Sequence, residues 1–272
     1  MELEAGVRIR VAPRFHARLA WQDRILLNSG VSASGPAFFP RHDWRPASAL
    51  EAAMLIDASV SGQSTEALTL LGIPAHLRAK WWSLAGQQED SPSGAEFHGL
   101  DEFARELAAY ASFKRWQLPS DCKLQVIASR PGQSSTRVDT ASSELQGLDF
   151  NCAPFATPGA QEAANSPRAI AGFNLGDEAT SLVWLNLSTA QVRERVGYSG
   201  PRNDSDAADS GTALAHRFFA ALADYPLVRI VLEPGEGYLL PEGGAVCDGY
   251  TVGKREVDVM LLLIPAPTRR SG

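Results

Sequence analysis

Residues 229–264, RIVLEPGEGYLLPEGGAVCDGYTVGKREVDVMLLLI, decide the fold. Short runs rich in Val, Ile, Leu and Tyr alternate with Pro-Gly, Gly-Gly and Val-Gly-Lys breaks, the signature of strands separated by tight turns. Strands are expected at 227–232, 237–240, 245–247 and 257–264. Pro234-Gly235-Glu236-Gly237 stands between two strands and not ahead of a helix, so it reads as a turn and not a phosphate cradle. At the centre lies Cys247-Asp248-Gly249, where a thiol and a carboxylate adjoin and where chemistry is sought first.

Working back from this stretch, residues 212–223 place Leu214, Phe218 and Leu222 on one helical stripe, with His216 off it. Residues 197–211 are polar, and Ser188 or Thr189 caps a helical turn that reaches Val196. Strands at 168–175 and 181–187 are joined by a Gly176-Asp177-Glu178 turn. The Ala, Pro and Gly of residues 151–167 read as a loop placed as a lid over a site. Residues 122–129 read as a strand, with a turn at Arg130-Pro131-Gly132 and a further strand at 134–140.

The N-terminal part has a different character. Residues 7–11 alternate with arginines and predict a short strand, residues 14–27 open with a helical turn, and residues 30–46, which hold His42-Asp43, predict an ordered loop. Ser48 followed by Glu51 is a capping box, and Leu50, Met54 and Leu55 share a face of the helix that follows to about residue 59. Further helices are expected from Ser64 or Thr65 to Leu71, from Ala75 to Leu84, where Trp81-Trp82 packs, and from an Asp101 cap through Phe103, Leu107 and Tyr110. The expected organisation is α+β. A mostly helical N-terminal extension (1–120) packs as a layer on a strand-rich core (121–265) that carries a helical insertion (189–223) and ends in a flexible tail (266–272).

Composition bounds the function. The 272 residues carry a net charge of −6 without basic clusters, which argues against a nucleic-acid backbone as partner. No apolar run approaches the roughly 20 residues of a membrane span, and the acidic N-terminus lacks the apolar segment of a secretory signal. The three cysteines, Cys122, Cys152 and Cys247, are too sparse for a disulfide framework, so a cytoplasmic setting is expected. GxGxxG, Walker, GxSxG, HExxH and CxxC patterns are absent.

Three segments carry a family likeness: GFNLGDEATSLVWLNLS (172–188), ALAHRFFAALADYPLVRIVLEPGEGYLLPE (213–242) and GGAVCDGYTVGKREVDVMLLL (243–263). Together they resemble bacterial iron(II)/2-oxoglutarate oxygenases, whose core is a double-stranded β-helix, the jelly roll or cupin-like barrel. The resemblance spans roughly residues 122–264 and implies a site in the barrel mouth. There a His-x-Asp pair and a distal His hold Fe(II), leaving open positions for 2-oxoglutarate and oxygen. The distal position falls on Cys247, directly before Asp248. The early pair falls on Asp149 and Asn151, or alternatively on Arg137 and Asp139. The oxoglutarate carboxylate would be clamped by Arg168, with Lys254 and Arg255 as the other candidates.

These residues differ from two imidazoles and a carboxylate. Asn is a weak neutral ligand, a thiolate is soft and oxidisable, and Arg137 would repel a cation. The resemblance therefore implies an oxygenase-like protein that has lost its iron site. It would bind a small amino-acid-like or natural-product ligand, or act as the partner of an active paralogue in a homo- or heterodimer. Two alternatives stay open. One is an active non-heme iron hydroxylase with ligands displaced to His42, His98 or His216. The other is a metal-free enzyme in which Cys247, Asp248, Asp149 and Cys152 act as nucleophile or acid and base.

Overall fold

A computed structural model describes residues 2–11, 21–34, 37–57, 67–86, 100–113, 122–129, 131–132, 151–153, 171–197, 211–240 and 245–265. The expected strand at 134–140, most of the 151–167 lid, the 198–210 segment and the tail lie outside these residues.

The N-terminal part opens with β1 (Ile9–Val11), a 3-10 turn at Trp21–Arg24, β2 (Ile25–Leu27), the hairpin strands β3 (Val31–Ser34) and β4 (Ala37–Pro40), and β5 (Arg45–Pro46). Helix α1 (Ala49–Leu55), β6 (Leu68–Gly72), α2 (Ala75–Gly86) and α3 (Leu100–Phe113) follow. The C-terminal part holds β7 (Cys122–Ser129), β8 (Asn151–Ala153), β9 (Ala171–Asn174), β10 (Thr180–Ser188), α4 (Thr189–Arg195), α5 (Gly211–Ala221), β11 (Val228–Leu232), β12 (Glu236–Leu239), β13 (Ala245–Tyr250) and β14 (Asp258–Pro265).

Twelve of these strands form two six-stranded sheets. One runs β1-β6-β12-β9-β14-β7 and the other β5-β2-β11-β10-β13-β8. Every pairing within them is antiparallel except β1 with β6. The fold is thus α+β and rich in antiparallel sheet, as expected.

Alternation along the strands sorts the side chains into three apolar layers. Ile9, Leu70, Leu182, Trp184, Ile230 and Met260 point between the sheets. Phe173, Leu261 and Leu263 face the other way, against Leu77 and Trp81 of α2 and Phe103 and Leu107 of α3. Val183, Leu185, Val246 and Tyr250 face outward from the second sheet and are covered by Leu214, Phe218 and Phe219 of α5 and by Val31 of the hairpin. Strand β10 is therefore buried on both faces, which is why residues 180–187 read as a nearly continuous apolar run.

Local signals were realised where they were strongest. Ser48 and Glu51 form the capping box of α1, and Ser188 with Gln191 forms that of α4. The 233–236 turn closes with Glu236 N donating to Glu233 O at 2.9 Å, and Gly235 takes φ +85°, a value that favours glycine.

Four expectations are corrected. Residues 64–71 do not give a helix, because Leu68–Gly72 is strand β6, paired with β1 on one side and β12 on the other. Its leucines are buried on both faces, so the period-2 pattern that marks a half-buried strand is missing. The 30–46 loop contains the β3–β4 hairpin and β5. The N-terminal part is therefore not a mostly helical layer, since it supplies β1, β2, β5 and β6 to the two sheets. On α1, Leu50 is exposed, and the buried face is Ala52 and Leu55.

Arg24 and Glu236 tie the start of β2 to β12 across the two sheets. The guanidinium Nη1 donates to Glu236 Oε1 at 3.1 Å, Nη2 donates to Oε2 and to Val231 O, and Glu233 N donates to Oε2 at 2.7 Å. Among the described residues no helix is long and apolar enough to cross a membrane.

Candidate functional site

Strand β13 places Cys247 and Asp248 on opposite faces of the second sheet, because neighbouring strand residues alternate. Cys247 points into the layer between the sheets with Trp184 and Tyr238, and is buried. Asp248 falls between Val246 and Tyr250, which both face outward. It is buried and accepts a hydrogen bond from the adjacent Gly249 N at 2.7 Å. In the ladder Cys247 is paired with Trp184 of β10 on one side and with Asn151 of β8 on the other.

The inward face that holds Cys247 carries polar atoms without partners among the described residues. Trp184 is fully buried, and its indole Nε1 has no hydrogen-bond acceptor among the described residues. Asp258 opens β14 two residues before the inward-facing Met260. Its Oδ1 takes a 2.6 Å ion pair from Lys254 Nζ, while its buried Oδ2 has no donor among the described residues. An orphaned buried donor or acceptor costs roughly 1–3 kcal/mol. Tyr238 enters the same layer from β12. Burial first, then the charges that Cys247, Asp248 and Asp258 would carry, push its phenol well above the ordinary range. Tyr238 is therefore a neutral hydroxyl at physiological pH, able to donate. The inward-facing layer thus holds a donor, an acceptor and a hydroxyl together with one buried thiol.

Of the two described cationic candidates, Lys254 is committed to Asp258, and its side chain is only 6% exposed. Arg255 is exposed, and its backbone N donates to Glu178 Oε2 at 2.9 Å. These contacts hold Glu178, with Glu256 N at 3.1 Å, and depress its carboxyl. Lys254 and Arg255 thus serve the β9–β10 turn and the 254–258 segment. Asp149, Arg137, Asp139, Arg168 and His98 lie outside the described residues, and only the backbone of Asn151 and Cys152 is described.

At the distal position, the described part of the expected donor set, the residue does not fit a ferrous centre of the expected kind. Such a centre takes imidazole nitrogen and carboxylate oxygen on one face. Here the distal position offers a thiol among Trp184, Tyr238 and Met260. His42 Nδ1 lies 3.2 Å from Tyr250 OH, and His216 on α5 stands edge-on to Phe38. Both histidines are on the outer side of the sheet, with its backbone between them and Cys247. Among the described residues no three His, Cys, Asp or Glu side chains converge on a metal position. The Cys247 residue is only 5% exposed, whereas reactive thiols sit in partly exposed, electropositive surroundings.

The sequence singled out Cys247 and Asp248 but missed Trp184, Tyr238 and Asp258. Period-2 alternation would have put Tyr238 and Trp184 on an inward face, but the lack of partners for Trp184 Nε1 and Asp258 Oδ2 exists only in three dimensions. Compared with models of known families and with curated proteins, the sequence matches none.

Proposed function

We propose that this chain is an oxygenase-like jelly roll that has exchanged its iron site for a binding site for a small polar organic molecule between the two sheets. The jelly-roll reading is supported by the order of strands. Among the described strands from β7 to β14 the chain passes from one sheet to the other at every step but one: β7, β9, β12 and β14 lie in one sheet and β8, β10, β11 and β13 in the other. Of these described strands, β10 and β11, joined through α4 and α5, follow each other within a sheet. Two interleaved Greek keys produce this alternation.

The observation that carries the ligand reading is the pair of orphaned buried atoms, Trp184 Nε1 and Asp258 Oδ2, on the inward face beside Cys247 and Tyr238. A ligand with both a donor and an acceptor, such as an amino-acid-like molecule, restores the hydrogen bonds that the apoprotein forgoes. The loss of iron is supported by the chemistry at the distal position, a buried thiol with both described candidate histidines behind the sheet.

Anaerobic calorimetric titration with Fe(II) and 2-oxoglutarate, separately and together, tests the loss of iron. The expected result is no stoichiometric iron uptake and no succinate on exposure to oxygen. Stoichiometric iron binding that disappears in Cys247→Ala would instead establish Cys247 as a ligand and sink the proposal. A thermal-shift screen of amino acids and small hydroxy acids is expected to yield a stabiliser whose effect falls in Trp184→Phe and Asp258→Asn. A stabiliser indifferent to both substitutions would place the ligand elsewhere.

A further inference from the structure

The outer face of the second sheet carries a cation that the site proposed between the sheets does not use. Arg229 projects outward from β11, opposite Val183 in the register. Its guanidinium carbon lies 4.7 Å from the ring centroid of Tyr250 and 5.8 Å from that of Trp44. Its Nε donates to Ser181 Oγ at 2.9 Å. The Tyr250 hydroxyl is fixed by Trp44 Nε1 at 3.3 Å and by His42 Nδ1 at 3.2 Å.

The head of the side chain is thus oriented by one hydrogen bond and two aromatic faces, and no carboxylate of the described residues pairs with it. Asp43, the acid closest in sequence to Trp44, accepts from Ser29 N at 3.2 Å. Asp248 stands two strands away in the same row, beyond Val183. Burial pushes the guanidinium below its ordinary value, and the phenol of Tyr250 opposes that shift. A partly desolvated arginine that is held at its Nε edge and has no acid among the described residues keeps its terminal N–H fork available for an oxyanion. A guanidinium fork matches the two oxygens of a carboxylate or phosphate, and the aromatic walls lower the dielectric around the pair.

We propose that Arg229, walled by Tyr250 and Trp44 and flanked by His42 and Ser181, anchors a second binding site for a small oxyanion, a carboxylate or a phosphate. This site lies on the opposite face of the sheet from Cys247 and is independent of the ligand proposed between the sheets.

Calorimetric titration of the full chain with inorganic phosphate and with succinate, at constant ionic strength held by chloride, tests it. The two anions distinguish phosphate from carboxylate recognition. Saturable binding of at least one is expected, absent in Arg229→Gln and retained in Arg78→Gln, which removes a distant surface arginine paired with Asp177. Arg229→Lys keeps the charge but loses the fork, and is expected to weaken binding about tenfold. No saturable binding of either anion to the parent chain would overturn the proposal, as would binding unchanged in Arg229→Gln. Should Arg229→Gln fail to fold, the lysine variant decides, and affinity equal to that of the parent would overturn the proposal.

Discussion

Tyr238 of β12 and Gly172 of β9 are paired across the antiparallel ladder, and the phenol occupies the space that a side chain at 172 would need. A Cβ at 172 would stand 2.6 Å from Tyr238 Cζ and 2.7 Å from its hydroxyl oxygen. Glycine at this position allows the ring to lie against the backbone of β9, with its hydroxyl in the layer that holds Cys247.

Gly172→Ala is accordingly expected to destabilise the protein by about 1–3 kcal/mol, the usual penalty for overpacking a filled core. Urea unfolding measures it. Adding Tyr238→Leu should recover part of the loss, because the two residues share one volume. Strictly additive effects of the two substitutions would show that the ring is not the obstacle.

The Arg24–Glu236 strut makes a second expectation. Both side chains are 10% exposed, so removing Arg24 leaves the buried Glu236 carboxylate without its guanidinium. Arg24→Met is expected to cost about 3–5 kcal/mol, and Arg24→Met with Glu236→Leu clearly less than the sum of the single changes. A thermodynamic cycle from chemical denaturation checks this, and additivity would mean that the pair is not coupled.

Alkaline stability follows from Tyr225. Its hydroxyl donates to Asn186 Oδ1 at 2.8 Å, and burial pushes its phenol from 10.0 up to about 12. Below the unfolded value both states hold the proton and stability does not change with pH. As the pH rises past that value the unfolded chain releases its proton while the folded one keeps it. Stability therefore falls toward pH 12, by up to about 1.4 kcal/mol per pH unit for this group. Tyr238 acts in the same direction. Unfolding free energies followed from about pH 9 to about pH 11 should fall less steeply in Tyr225→Phe. An unchanged slope would assign the alkaline loss to other groups.

How much of this was legible in the sequence depends on the range of the interactions involved. The cap residues Ser48 and Ser188, the Pro234-Gly235 turn, the apolar stripe of α5 and the C-terminal strands were readable because each is set by contacts within a few residues. The exposure of Leu50 and the strand at 68–72 were not. Leucines suit helix and sheet alike, and only pairing with β1 and β12, from distant parts of the chain, selects the extended form.

The site divides in the same way. The sequence by itself determined that a thiol and a carboxylate adjoin at 247–248 and that no metal motif of fixed local spacing is present. Tertiary structure alone decided that Cys247 and Asp248 face opposite layers, that His42 and His216 lie behind the sheet, and that Trp184 Nε1 and Asp258 Oδ2 have no partners among the described residues. The physical reason is that a hydrogen bond left unmade depends on everything that packs around the atom. That packing is assembled from strands far apart in the chain, and no local pattern encodes it.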